Sequence, residues 1–161
     1  MLLDRRRFLT AAGISAAAVT MGCSAGETRA AEAFAVNLSR AEWKKRLTPQ
    51  QFHILREGGT ERPFSSPLNK IERAGIFHCA GCDNALYSSK TKFESGTGWP
   101  SFYAPLKGAV TTRRDGSLGM ARIEVLCSRC GGHLGHVFND GPPPTGKRYC
   151  MNGAAMTFAA A

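Results

Sequence analysis

The chain has 161 residues, room for one domain with a leader, and its 43% apolar content is ordinary for a globular protein and sufficient for a core. The formal charge is +9, an excess that favours anionic partners without specifying nucleic acid. A nucleic-acid binder would gather Lys and Arg with aromatics on one element, whereas here Arg5–Arg7 stand near the start and the other basic residues are scattered.

Arg5-Arg6-Arg7-Phe8-Leu9 precedes a modestly hydrophobic, Ala/Gly-rich run from Ala11 to Met21, the pattern of a twin-arginine export signal. A membrane anchor is the other reading, but so short a run falls well below what a hydrocarbon core of about 30 Å requires. Small residues allow cleavage after Ala30 or Ala33, and Cys23 after Gly22 offers a lipidation site with Thr20 where Leu is usual. Residues 1–33 are therefore set apart as the leader and 34–161 as the folded domain, periplasmic or otherwise exported.

Ser39-Arg-Ala-Glu42 is a capping box that opens a helix over Arg40–Leu47. Thr48-Pro49-Gln50-Gln51 repeats the logic and starts a second helix, Pro49–Glu57, which Gly58-Gly59 stops. These two read as outer packing elements. From Gly75 the pattern turns to short strands: Ile76–His78, Leu86–Ser88, Ala109–Thr112 and the alternating Ala121–Leu126. A turn at Arg114–Ser117 makes Ala109–Leu126 a hairpin, and His136–Phe138 and Met156–Phe158 add two strands. Asp140-Gly-Pro-Pro-Pro-Thr-Gly146 between them is a rigid, non-regular loop. The 18 glycines agree with many turns, and the fold class is mainly β with two short N-terminal helices.

Six cysteines occur. Cys79-Ala-Gly-Cys82 and Cys127-Ser-Arg-Cys130 are two knuckles whose spacing lets both sulfurs of each reach one metal. Zinc is the default ion for four thiolates; one per chain adds a net −2 and brings the total to about +7. The 44 residues between the knuckles exceed a simple ribbon, so the ion would tie a long insertion back to its base. Two disulfides or an iron–sulfur cluster are the alternatives, while haem attachment is excluded because Asp83 and Gly131, not His, follow the knuckles.

Cys150 stands apart, in Lys147-Arg-Tyr-Cys-Met-Asn-Gly153. It reads either as a core cysteine or as a nucleophile, because Arg148 and Asn152 would share its strand face. A guanidinium beside a thiol raises the thiolate fraction, and such a face makes a poor core. His133 and His136, with zinc already supplied by four thiolates, are free for acid–base work. The glycine-rich loop Ser95–Phe102 presents Trp99, either as core filler or as the wall of a small apolar pocket.

Glu94-Ser-Gly-Thr-Gly-Trp-Pro-Ser-Phe102, His133-Leu-Gly-His-Val-Phe138, Asp140-Gly-Pro, Pro144-Thr-Gly and Arg148-Tyr-Cys-Met-Asn152, with the two knuckles, closely resemble the B-type methionine sulfoxide reductases over nearly all of residues 40–158. The resemblance implies two antiparallel β-sheets with a structural zinc at the far side from the active cysteine. It implies reduction of the R epimer of methionine sulfoxide, mostly in oxidised proteins. It gives Cys150 the attack on the sulfoxide sulfur, and His133 and His136, with Asn152 nearby, the sulfoxide oxygen. Arg148 would favour the thiolate, Asp140 would orient Arg148, and Trp99 with Phe138 would pack around the S-methyl group. Cys150 would be left as sulfenic acid.

One position departs from a common family pattern: Thr97 stands where many members carry a resolving cysteine. A hydroxyl cannot form a disulfide, and Cys23 would serve only if the leader were retained and unlipidated. The expected reductant is therefore an external thiol or a thioredoxin-like partner acting through a mixed disulfide. No nucleic acid is expected as partner, membrane attachment only through an uncleaved leader or lipidated Cys23, and the chain is expected to be a monomer. Two other classes stand beside this reading, a zinc-stabilised binding module with Cys150 buried and a general thiol–disulfide oxidoreductase.

Overall fold

The computed structural model describes residues 34–119 and 121–161; the expected leader, its cleavage sites and Cys23 lie outside them. Helix α1 (Arg40–Arg46) begins at the expected capping box, with Ser39 Oγ accepting from the Glu42 amide at 3.3 Å and Glu42 accepting from the Ser39 amide at 2.8 Å. It ends one residue before the expected Leu47, which is its extended C-cap. Helix α2 (Pro49–Glu57) has the same device in Thr48 and Gln51, and Gly58 closes it in the left-handed conformation at φ 69°. Trp43, Phe52, Ile54 and Leu55 are buried from these helices, each contributing about 1.5–3 kcal/mol. The helices do more than cover the outside. Trp43 and Leu55 pack within 3.5 Å of the side-chain position at Gly81, and Arg56 lies on the second knuckle, its guanidinium 4.3 Å over Trp43.

The strands form two antiparallel sheets, as the resemblance implies. The smaller has the order β2 (Ala85–Ser88), β1 (Gly75–Cys79), β9 (Met156–Ala160). The larger runs β3 (Lys92–Phe93), β4 (Ser101–Phe102), β8 (Arg148–Met151), β7 (His133–Phe138), β6 (Arg122–Cys127), β5 (Val110–Asp115). The hairpin β5–β6 forms, but β5 continues through Arg114 and Asp115, the first half of the expected turn. Reversal falls instead on a 3-10 turn at Ser117–Gly119. Strands β3 and β4 have two residues each, too short for period two to register. The loop after β7 is irregular as expected, closed by Gly141 N–H donating to the Gly146 carbonyl at 3.1 Å, with a cis bond at Pro143–Pro144.

The core lies between the sheets because alternate residues of both turn inward. Phe77 of β1 meets Phe102 of β4 edge-on at 4.9 Å, Tyr87 of β2 stacks on Phe102 at 4.3 Å, and the Tyr87 hydroxyl donates to Met151 sulfur at 3.1 Å. Strand β7 begins three residues earlier than expected and carries a bulge. Val125 pairs with Gly135 but Leu126 pairs with His133, leaving Leu134 as the extra residue, buried in the core. Among the described residues no helix is long and apolar enough to cross a membrane.

Candidate active site and metal centre

Cys79 ends β1 and Cys127 ends β6, so each knuckle turns off the end of a strand. The sulfurs of Cys79, Cys82, Cys127 and Cys130 all lie within 4.8 Å of one another, with Cys79–Cys130 at 3.8 Å and Cys82–Cys127 at 3.5 Å. Four sulfurs tetrahedrally placed at about 2.3 Å from zinc stand roughly 3.8 Å apart, so the donor set is that of one structural zinc. All four cysteines are buried, and Arg56 Nη2 and Asn84 Nδ2 approach the Cys130 and Cys127 sulfurs at 3.4 and 3.6 Å, donors suited to thiolates. The sheet lattice places Cys127 three residues along and two strands across from Cys150. That spacing corresponds to roughly 14 Å, too far for the ion to touch chemistry at Cys150.

Strand register assembles the second site. Cys150 of β8 lies directly opposite His136 of β7 and, on its other side, opposite Ser101 of β4. His136 in turn faces Glu124 of β6, and Glu124 faces Arg113 of β5. One polar row thus crosses the sheet on the face away from the aromatic core. Arg148 and Phe138, two residues along from Cys150 and His136, are also cross-strand partners; the guanidinium sits 4.4 Å over the Phe138 ring. Arg148 donates twice to Asp140, at 2.9 and 2.8 Å. That fork holds the Asp140 carboxyl below the usual carboxylate range and raises Arg148, to which the neighbouring Cys150 contributes as well.

The histidines owe their common side to the bulge. Residues three apart on a regular strand point to opposite faces, but the extra Leu134 turns His133 round, and the two rings lie 5.4 Å apart. Each has its own carboxylate: His136 Nε2 lies 2.7 Å from Asp115 Oδ2, and His133 Nδ1 lies 2.7 Å from Glu124 Oε1. Asp115 is held far below the usual range, first by the Ser117 amide and hydroxyl and then by His136. Burial pushes Glu124 up, but hydrogen bonds from His133 and Arg113 outweigh it and leave the pKa lowered. For His136 burial is the largest influence and lowers the pKa against the pull of Asp115, so the ring is mainly neutral at pH 7.

A pocket of about 140 Å³ opens beside Cys150, lined by Trp99, Phe138, His136, Asn152, Arg122 and Thr60 together with Gly135. Of the seven residues expected beside Cys150, Trp99, Phe138, His136 and Asn152 line this pocket, Arg148 neighbours the sulfur, and Asp140 is joined to the site through Arg148. His133 is the exception. It is buried behind His136, borders a different cavity formed by Leu55, Arg56, Arg113 and Glu124, and its Nε2 has no hydrogen-bond partner among the described residues. Asn152 sits just past the end of β8, and its amide is committed to the backbone, accepting from Glu61 N–H at 3.0 Å and donating to the Leu134 carbonyl at 3.2 Å.

The site also takes in residues that the sequence does not single out. Buried Glu61 accepts from the amides of Gly153 and Ala154 at 2.5 and 2.9 Å, while its own carbonyl receives Trp99 Nε1–H at 3.2 Å. It joins the Trp99 loop to the segment after Cys150, and nothing local in Thr60-Glu61-Arg62 announces that. Arg122 and Glu124 were within reach, since the clean alternation of β6 already puts them on one face. Asp115 falls in the expected turn Arg114–Ser117 but lies at the end of β5. Gly135 has φ 156°, and a side chain there would collide with the Cys150 carbonyl oxygen.

The family model described as the SelR domain matches residues 47–160. The chain is 58% identical over 124 residues to a peptide methionine sulfoxide reductase MsrB of Agrobacterium fabrum, covering 76% of this chain and 92% of that protein. It is 58% identical over 125 residues to the protein of the same name in Methanosarcina barkeri, covering 77% and 88%. The like-named Leptospira interrogans protein is 57% identical over 126 residues, covering 78% and 96%.

Proposed function

The chain belongs to the family of B-type peptide methionine sulfoxide reductases, and from that premise we propose a cycle in which it reduces the R epimer of methionine sulfoxide in proteins through Cys150. The observation that carries the assignment of Cys150 is its setting: a half-buried thiol opposite His136, beside Arg148, at the mouth of a pocket walled by Trp99 and Phe138. Neutral His136, its Nε2–H directed to Asp115, takes the Cys150 proton on its other nitrogen, and Asp115 stabilises the imidazolium. The substrate S-methyl enters between Trp99 and Phe138. The thiolate attacks the sulfoxide sulfur, His136 returns the proton to the sulfoxide oxygen, and the hydroxyl passes to Cys150 sulfur as methionine leaves. Cys150 ends as sulfenic acid, oxidised by the two electrons the substrate gains. His133, held by Glu124, acts through its contact with the His136 ring, and Asp140 holds Arg148 over Phe138.

Regeneration takes two thiols from outside. The first condenses with the sulfenic acid to a mixed disulfide and water, and the second releases Cys150 as a thiol with a disulfide product. Thr97 lies 3.7 Å from Cys150 sulfur, in the place of a resolving cysteine, so a thioredoxin-like protein or a low-molecular-weight thiol is the reductant. Cys79, Cys82, Cys127 and Cys130 would hold zinc in a structural role, tying residues 79–130 together without taking part in a step at Cys150. Turnover of both sulfoxide epimers by wild type and Cys150→Ser tests the assignment. Loss of R-epimer turnover is expected, and unchanged turnover refutes it.

Export by the twin-arginine route is part of the same proposal, supported by Arg5-Arg6-Arg7-Phe8-Leu9 and the short apolar run after it. An oxidising compartment would pair free knuckle cysteines, whereas a domain that folds and loads zinc in the cytoplasm crosses with them already protected. A version of the chain rerouted unfolded through the general secretory pathway should arrive poorly metallated; equal zinc content and activity would refute this.

A further inference from the structure

The loop before β4 and the first residue of that strand carry three hydroxyls joined end to end. Thr97 Oγ1 lies 3.7 Å from Cys150 Sγ and 2.8 Å from Ser95 Oγ. Ser95 Oγ lies 2.8 Å from Ser101 Oγ, and Ser101 Oγ lies 3.1 Å from the Trp99 carbonyl oxygen. Ser101 is buried and is also the cross-strand partner of Cys150, so both ends of the string are moored on the β4–β8 pair. The Thr97 amide, 3.4 Å from Ser95 Oγ, further fixes the bend.

Each hydroxyl has one hydrogen to give, so the string has two consistent orientations. With Cys150 as a thiol, S–H donates to Thr97, Thr97 to Ser95, Ser95 to Ser101, and Ser101 to the Trp99 carbonyl. With Cys150 as a thiolate the sulfur end has no hydrogen, and the order reverses: Ser101 donates to Ser95, Ser95 to Thr97, and Thr97 to the sulfur. Every hydroxyl keeps its own proton and merely rotates, while the proton lost by Cys150 leaves on the opposite side, where His136 stands. Hydrogen bonds in series polarise one another, and a charged acceptor roughly doubles the strength of the last one.

We propose that Thr97, Ser95 and Ser101 form a reversible hydroxyl chain that stabilises the Cys150 thiolate, with Thr97 as a further catalytic residue and the two serines as positioning residues. The inference rests on Cys150 as the nucleophile, but it concerns the reactivity of the sulfur and not the identity of the substrate. In this chain the hydroxyl at position 97 thus has a task of its own, distinct from the disulfide chemistry of a cysteine there.

The test is the second-order rate of Cys150 alkylation by iodoacetamide in the full zinc-loaded chain at neutral pH. It is read by mass spectrometry on the C-terminal peptide released after Arg148, which keeps the other cysteines out of the signal. Removing a hydrogen bond to a charged group predicts a rate about tenfold or more lower for Thr97→Val, with Thr97→Ser restored to within about twofold. Ser95→Ala, which breaks the string without touching the sulfur, should fall in between. Zinc content and the unfolding midpoint of each variant report its fold, and Thr97→Ser serves as the conservative arm. Equal rates for wild type and Thr97→Val overturn the proposal, as does a slow Thr97→Val that Thr97→Ser does not rescue. A wild-type rate in Ser95→Ala overturns the chain. Because alkylation needs no sulfoxide, these outcomes are independent of whether Cys150→Ser abolishes R-epimer turnover.

Discussion

Replacing Thr97 by cysteine converts the regeneration step from an external to an internal one. Thr97 Oγ1 and Cys150 Sγ are 3.7 Å apart, and a disulfide needs about 2.05 Å. The gap of roughly 1.7 Å is narrowed by the longer carbon–sulfur bond and closed by side-chain rotation, since Thr97 stands in a loop and only Cys150 is fixed in a sheet. The two positions are 53 residues apart, and closing a loop of that size constrains the unfolded chain by about 4 kcal/mol. With one equivalent of R-sulfoxide and no reductant, wild type should lose one thiol and yield a dimedone adduct at Cys150. Thr97→Cys should lose two thiols, give no adduct, and show a 97–150 disulfide in peptide mapping. Its oxidised form should unfold at higher urea than its reduced form, by up to that 4 kcal/mol. A folded, metallated variant that still labels with dimedone and forms no disulfide would refute the claim that position 97 lies in line with the nascent sulfenic acid.

Gly135→Ala forces a methyl group into the Cys150 carbonyl oxygen, so β7 and β8 must separate. A loss of about 2 kcal/mol or more in urea unfolding is expected, with turnover reduced at least about tenfold because the nucleophile is displaced; wild-type kinetics would contradict the close approach. Glu124 has a lowered pKa in the folded protein, so as pH falls the unfolded state takes up its proton first. The stability it contributes is present above the ordinary glutamate value of 4.5 that the unfolded chain has and is lost as pH falls through the lower folded value. Glu124→Gln should flatten the acid limb of stability against pH by up to one proton, and an identical slope would argue against the His133–Glu124–Arg113 arrangement. Stripping zinc should abolish cooperative thermal unfolding, because a structural zinc contributes on the order of 10 kcal/mol against a typical domain stability of 5–15 kcal/mol. An apo protein with an unchanged melt would show that the knuckles hold without the ion.

What was legible from residues alone was what is local. Capping boxes, glycine stops and two-residue cysteine spacing are read within one turn of chain, and the helices and knuckles appear where they were expected. Period two correctly put Arg148 and Cys150 on one face, because β8 is regular over those residues. It did not extend to His133, which stands before the expected strand; a single bulge residue decides which way that side chain points, and no pattern in His-Leu-Gly-His reports the register of β6. Arg-Asp-Gly-Ser carries turn chemistry and predicts a turn at Asp115. The strand instead runs on through it, and pairing with Arg122 decides the matter. Glu61 is joined to Gly153 across 92 positions, a distance at which a single sequence carries no signal.

The pairing of β1 with β9 links residues 75–79 to residues 156–160, and it sets the order in which a newly made chain completes itself. The four metal ligands have all been synthesised once Cys130 is made, so the ion is able to gather the middle of the chain while the nucleophile's strand is still absent. The smaller sheet waits for the last strand, and such long-range antiparallel pairing is slow to form. A chain stopped before Met156 would leave one edge of β1, including Phe77 backbone groups now paired with Phe158, open to association with other chains. In chain order the four metal ligands thus precede the nucleophile, and the strand that closes the smaller sheet follows both.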